Sequence, residues 1–192
     1  MGGTHGIKKV QRSDIPNLIS VARVFLVLPV VSALMAREFQ AALLWFAIAS
    51  LSDGIDGMIA RRFGWHSRLG SLLDPVADKL LLGLSYGCLS LLDLLPTWLA
   101  SLVIGRDLLI FAVSVMLYLR LTAFQGTPSR LSKLNTFSQI VLILGVIFSQ
   151  SHGPLPAEVL ALMMHWVALT TLLSGFHYLT LFGKTAISTF YP

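Results

Sequence analysis

The stretch AALLWFAIASLSDGIDGMIAR, residues 41–61, decides the architecture of this chain. From Ala41 to Ser52 it carries no charge, and it then places Asp53 and Asp56 in the same run before closing on Arg61. A helix needs about 20 mostly apolar residues to cross a bilayer, and this run has that length. An ionisable group inside such a span is costly and by default marks a functional site. The same run therefore speaks to the fold and to the chemistry.

The whole composition agrees. The chain has 192 residues, of which 55% are hydrophobic and only 12% charged, with a mean hydropathy of +0.78. A soluble domain carries about a quarter charged residues, so roughly half the charge needed for a water-facing surface is present. An ordinary cytosolic domain, a disordered chain and a nucleic-acid binder are excluded. The net charge of +5 does not reverse this, because the fourteen basic residues are separated by long apolar runs and form no stripe. Cys88 is the single cysteine, which excludes an internal disulfide framework and a Cys-ligated zinc site.

Working outward, six spans can be drawn over 17–36, 41–61, 69–92, 97–119, 134–150 and 156–182. Breaker clusters fall between them at Leu95-Pro96-Thr97, Gln125-Gly126-Thr127-Pro128 and His152-Gly153-Pro154-Leu155-Pro156. The expected fold is an all-α integral membrane protein, a six-transmembrane-helix bundle. It comprises a cytoplasmic juxtamembrane segment 1–16, a membrane domain 17–185 and a C-terminal tail 186–192.

Basic residues favour the cytoplasmic side of short loops. With both termini inside, Lys8, Lys9, Arg12, Arg61, Arg62, Arg68, Arg120, Arg130, Lys133 and Lys184 lie on or near that side. Arg37 falls in an outside loop, and Arg23, Lys79 and Arg106 sit within spans. The expected topology is N-in/C-in. The short basic N-terminal segment, without an organelle-targeting extension, points to a bacterial inner membrane. Arg23 lies within the first apolar run and no Ala-x-Ala site follows it, so that run reads as a retained helix and not a signal peptide.

Four of the nine acidic residues, Asp53, Asp56, Asp74 and Asp78, fall between positions 53 and 78. Asp53, Asp56, Gly57 and Ala60 follow i, i+3, i+4, i+7, which is one helix face. Gly70, Asp74, Ala77 and Asp78 follow i, i+4, i+7, i+8 on the next span, again one face. At 1.5 Å per residue, Asp53 lies about 12 Å in from Arg61 and Asp78 about 15 Å in from Arg68. Both pairs therefore reach a similar depth and can face each other.

Four carboxylates in a low-dielectric pocket cannot all stay ionised without cations. Two hard divalent ions with oxygen ligands, Mg²⁺ or Mn²⁺, answer that charge. About 4 Å apart, they would form a clamp for phosphoryl chemistry. The competing account pairs the acids with Arg61, Arg62, Arg68 and Lys79. For all four acids on matched faces, the metal account is the stronger.

The spacing Asp53-x2-Asp56-Gly57-x2-Ala60-Arg61-x8-Gly70-x3-Asp74-x3-Asp78 resembles the complete signature of the CDP-alcohol phosphotransferase family. The resemblance implies transfer of a phosphatidyl or related group from a CDP-linked donor to an alcohol, with release of CMP. It implies that Asp53, Asp56 and Asp74 bind the two metals, and that Asp78 completes the metal site and serves as general base. Gly57, Ala60, Arg61 and Gly70 would line the CDP pocket. A homodimer is implied too.

Arg23, Lys79, Arg106 and Lys133 are the remaining embedded or near-embedded cations, and they form the expected binding set for a phosphate-bearing acceptor. Each also has a plainer role: Lys133 as a membrane-edge anchor, Arg106 paired with Asp107 or another Asp, Lys79 neutralising Asp78 or Asp74. Within the family, Asn17, Arg23 and Asp74-Pro75-Val76-Ala77-Asp78-Lys79 resemble the branch that makes phosphatidylglycerophosphate and cardiolipin. The segments Gly105-Arg106-Asp107 and Ser132-Lys133-Leu134-Asn135-Thr136 are similar to those of CMP-forming cardiolipin synthases. The resemblance thus implies CDP-diacylglycerol as donor and favours phosphatidylglycerol as acceptor, with glycerol 3-phosphate as the alternative. From another class, a small cation transporter would also use membrane carboxylates. It would show repeated halves or acids strung across the bilayer, and neither is evident. His165 and His177 read as core or interface histidines.

Overall fold

The computed structural model describes the backbone over residues 14–63, 70–120 and 130–190, and side chains over 25–52, 79–113 and 130–180. Six helices follow in order: α1 (Asp14–Met35), α2 (Phe39–Phe63), α3 (Gly70–Leu91), α4 (Thr97–Arg120), α5 (Arg130–Ser151) and α6 (Ala157–Phe190). Among the described residues there is no strand. One helix forms on each apolar run, because a run without Gly/Pro clusters keeps the backbone ladder intact. Helix ends overshoot the apolar runs at α5 and α6. Charged and hydroxyl residues such as Arg130, Ser132 and Lys184 end a hydrophobic count without ending a helix.

Short turns make three hairpins, α1–α2, α3–α4 and α5–α6. Between hairpins, α2 packs on α5, α6 on α4, and α3 on α1, so the six helices close into a ring, and α3 also touches α5. The core is built from Val30 and Leu34 on α1, Phe46 on α2, Leu82, Tyr86 and Leu89 on α3, and Leu142, Ile143 and Ile147 on α5, all fully buried.

Two of the turns are stopped by the same device. In the first, Glu38 N–H donates to Ala33 C=O (2.9 Å) and Arg37 N–H to Leu34 C=O. In the second, Leu94 N–H donates to Leu89 C=O (2.9 Å) and Asp93 N–H to Ser90 C=O. These paired bonds form the Schellman motif, which needs a left-handed residue after the cap. Arg37 and Asp93 both take it, each at φ 59°, without being glycine.

The outer surface is apolar. Phe25, Leu28, Leu51, Leu91, Leu162 and Phe176 are each at least 65% exposed. Water-soluble monomers rarely present apolar surface on this scale, whereas lipid tails accept it. Among the described residues, two stretches are long and apolar enough to cross a membrane: Arg130–Ser151, with hydropathy 1.6, and Ala157–Thr180, with hydropathy 1.7. Shorter apolar pieces lie at Phe25–Met35, Phe39–Ser52 and Lys79–Leu91.

Candidate active site

The four aspartates sit on two unbroken helices. α2 carries Asp53, Asp56, Gly57, Ala60 and Arg61 in its last turns, and α3 carries Gly70, Asp74 and Asp78 in its first. Helical continuity keeps each set in the spacing that gathers it on one face. Both helices pack on α1 and on α5. The side chains of these residues, and that of Arg23 on α1, lie outside the described residues, as does the N-terminal segment 1–13.

Lys79, the residue after Asp78 on α3, belongs to a charged cluster. Lys79 Nζ lies 2.7 Å from Asp107 Oδ2. The other carboxylate oxygen of Asp107 accepts from Arg106 Nη1 at 2.6 Å. Arg106 Nη2 donates to Ser132 Oγ on α5 at 3.0 Å and to Ser174 Oγ on α6. The guanidinium carbon stands 5.8 Å from the centre of the Tyr178 ring, within cation–π range. Gly175 leaves room for the Arg106 stem, since a Cβ there would stand 3.7 Å from Arg106 Cγ. Three helices, α4, α5 and α6, thus meet at one guanidinium, and α3 joins them through the carboxylate of Asp107.

Arg106 and Asp107 are 7% and 8% exposed, so this is a buried ionic group. Two cations share one carboxylate, and among the described residues the cluster carries one positive charge in excess. A buried surplus charge is costly unless an anion answers it. The neighbouring aspartates of α3, or a phosphate, can do so. Beside the cluster, α3 and α4 line an open-sided cavity of about 200 Å³. Lys79 and Asp107 supply its polar wall; the rest is apolar, with Val103, Leu108 and Phe111 among its lining.

Of the four predicted acceptor-site cations, the structure brings Lys79 and Arg106 together. Lys133 is exposed and stands outside the cluster, while its neighbour Ser132 reaches in. Sequence reasoning had Asp107 as a partner of Arg106 only and missed its bond to Lys79. A charge count could have found it, because Asp107 is the only acid of α4. Ser174-Gly175 reads as a site of close helix packing, but nothing in the sequence signals that Ser174 meets Arg106, 68 positions away. His165 is exposed and its Nδ1 lies 2.6 Å from Ala161 C=O of its own helix; His177 is half-buried.

The α5–α6 contact is held by side-chain polar groups. Asn135, fully buried, accepts through Oδ1 from Thr170 at 3.0 Å and from Thr171 at 2.9 Å. Trp166 Nε1 donates to Ser138 Oγ at 3.0 Å. Gly145 lets the helices approach so closely that a Cβ there would stand 3.0 Å from Met163 Cε.

Comparison with known proteins gives a family model, CDP-alcohol phosphatidyltransferase, that matches residues 13–174. Human cardiolipin synthase (CMP-forming) is 33% identical over 181 residues, covering 85% of this chain and 60% of the human protein. A cardiolipin synthase (CMP-forming) / mitochondrial hydrolase fusion protein of Schizosaccharomyces pombe is 35% identical over 181 residues, 85% of this chain and 30% of that protein. The CDP-diacylglycerol–glycerol-3-phosphate 3-phosphatidyltransferase of Rickettsia typhi is 32% identical over 176 residues, 86% of this chain and 94% of the relative. The chain therefore spans under two thirds of the two eukaryotic relatives and nearly all of the bacterial one.

Proposed function

The chain belongs to the CDP-alcohol phosphatidyltransferase family, and from that premise we propose that it transfers the phosphatidyl group of CDP-diacylglycerol to a glycerol-based acceptor, releasing CMP. What carries this reading is the spacing of Asp53, Asp56, Asp74 and Asp78 on two unbroken helices inside the matched region.

The donor set is all carboxylate oxygen, which fits hard divalent cations and not soft metals. Asp53, Asp56, Asp74 and Asp78 would hold two of them, Mg²⁺ or Mn²⁺. Such ions, when bound, neutralise the pyrophosphate and the departing CMP. Gly57, Ala60, Arg61 and Gly70 line the nucleotide pocket in this reading, the small residues Gly57, Ala60 and Gly70 letting the backbone approach it. Asp78 takes the proton of the acceptor hydroxyl. That oxygen bonds to the phosphatidyl phosphorus, the phosphoanhydride bond to CMP breaks, and its electron pair leaves with CMP.

For the acceptor, Lys79, Arg106 and Arg23 meet a phosphate. The cavity between α3 and α4 favours phosphatidylglycerol, giving cardiolipin. Its walls are apolar apart from Lys79 and Asp107, which suits a substrate bearing acyl chains more than a small polar one. Glycerol 3-phosphate remains the second reading, supported by the near full-length match to the Rickettsia typhi relative. Family membership sets the transporter aside.

The same proposal includes six spans with both termini in the cytoplasm, a bacterial inner-membrane address and a homodimer. With that orientation ten of the fourteen basic residues fall on or near the cytoplasmic side, the side such residues favour. Bacterial relatives, among them one of Bacillus subtilis, support the address.

The test supplies CDP-diacylglycerol with phosphatidylglycerol or with glycerol 3-phosphate, in separate reactions with Mg²⁺ or Mn²⁺, and identifies the lipid product. Cardiolipin in the first arm is expected. Product in the second arm alone replaces the acceptor; CMP release in neither arm overturns the assignment. Light scattering in detergent tests the dimer.

A further inference from the structure

On the outer wall of the α5–α6 hairpin the two helices part into an apolar groove of about 350 Å³. Leu134, Phe137 and Val141 form one bank, and Leu162 and Trp166 form the other. Trp166 is half exposed, and its only polar atom is already spent on Ser138. The groove therefore offers hydrocarbon contact and no headgroup donor of its own.

Its donors lie one turn above. Arg130, Lys133, Phe137 and Val141 follow i, i+3, i+7, i+11, a single stripe along α5. Arg130 and Lys133 are exposed, and among the described residues no carboxylate pairs with either. The charged and apolar parts of the stripe also fit a bilayer dimensionally. Measured from Arg130, the bank from Leu134 to Val141 extends from about 6 to about 16 Å along the axis. Half the hydrocarbon thickness of a bilayer is about 15 Å. The groove thus runs the depth of one leaflet, starting just beneath two cations.

We propose that this groove holds one acyl chain of an anionic glycerophospholipid, whose phosphate is taken by Arg130 and Lys133. It is separate from the catalytic reading: Ser132, between the two cations, turns inward to Arg106, while they face out. A lipid held here is a resident of the outer wall and not a substrate. A second copy of the chain on this face would cover the groove and leave two cations of each copy opposed to apolar surface, which disfavours that occupant.

Trp166 is the reporter. In a chain carrying Trp45→Phe, Trp65→Phe and Trp98→Phe, only Trp166 fluoresces, and bromine on an acyl chain quenches an indole it touches. Vesicles of phosphatidylcholine are prepared with the same low fraction of brominated phosphatidylserine or brominated phosphatidylcholine. Phosphatidylserine supplies the negative charge without being either acceptor under discussion. The expected result is quenching that reports about a tenfold preference for the anionic lipid, with each basic residue contributing severalfold. In Arg130→Gln/Lys133→Gln the preference falls to near unity, while Arg130→Lys keeps it. Native mass spectrometry of the unsubstituted chain gives a readout free of the Trp replacements, with an anionic lipid retained over phosphatidylcholine.

Equal quenching by both lipids in the parent, or a preference that survives the double substitution, overturns the proposal. Quenching by neither lipid also overturns it and points to a protein surface over the groove. Loss of CMP release in any variant is a separate result and bears on the catalytic reading alone.

Discussion

The ammonium of Lys79 and the carboxylate of Asp107, on neighbouring helices α3 and α4, stand 2.7 Å apart. Asp107 also carries Arg106, so one acid balances two cations in a group that is largely shielded from solvent. Removing the acid is far worse than removing either base. Asp107→Ala is expected to cost about 3 kcal/mol, because it strands a buried guanidinium. Lys79→Gln is expected to cost about 1 kcal/mol, since Lys79 is 30% exposed and solvent screens it. Thermal unfolding in detergent compares them; equal losses would show that Asp107 is not the shared partner.

Asp78→Asn tests the chemistry separately from the fold. It keeps shape and removes the charge that accepts the proton. Turnover is expected to fall at least about a hundredfold with little change in melting temperature. A stable variant with full activity would end the role of Asp78 as base.

Chelation tests the ions. With EDTA, CMP release should stop, and added Mg²⁺ or Mn²⁺ should restore it. Activity that persists after exhaustive chelation would remove the divalent cations from the reaction.

Asn135→Ala leaves the hydroxyls of Thr170 and Thr171 without their shared acceptor. In a membrane hairpin such bonds are worth about 1 kcal/mol each, so a loss of about 1–2 kcal/mol is expected. Unfolding in mixed detergent micelles measures it. Thr170→Ala/Thr171→Ala in the Asn135→Ala background should add little, because the interaction is already gone.

Arg37→Gly relieves a left-handed non-glycine residue in the first Schellman turn. Left-handed backbone costs a side-chain-bearing residue about 1–2 kcal/mol. Glycine gives back part of that through its freer unfolded chain. A net gain of about 0.5–1 kcal/mol is expected, smaller for Asp93→Gly because Asp tolerates this region better. A destabilised Arg37→Gly would contradict the strain argument.

Six helices were legible because each apolar run is long and three of the boundaries carry breakers, as at His152-Gly153-Pro154. Their ends were less so. The start of α5 at Arg130 lies in a polar stretch that hydrophobicity does not weigh, while backbone hydrogen bonding continues through it. The ring order was not legible either, since pairing α2 with α5 and α4 with α6 depends on side chains far apart in sequence. The aspartate spacing could be read because helical periodicity turns sequence distance into a face. The meeting of Lys79, Asp107, Arg106 and Ser174 could not, because periodicity says nothing about which face of another helix arrives opposite. Lys133 shows the same limit: spacing places it one residue from Ser132, and only the bundle sends the two in opposite directions.

Because α6 supplies Ser174 and Tyr178 to Arg106, the guanidinium of α4 waits for α6 to be synthesised. A nascent polypeptide halted after α5 would hold that arginine against Asp107 and Ser132 alone, with one side open to lipid. The final hairpin therefore works as a clasp: its arrival turns an exposed charge into a buried one.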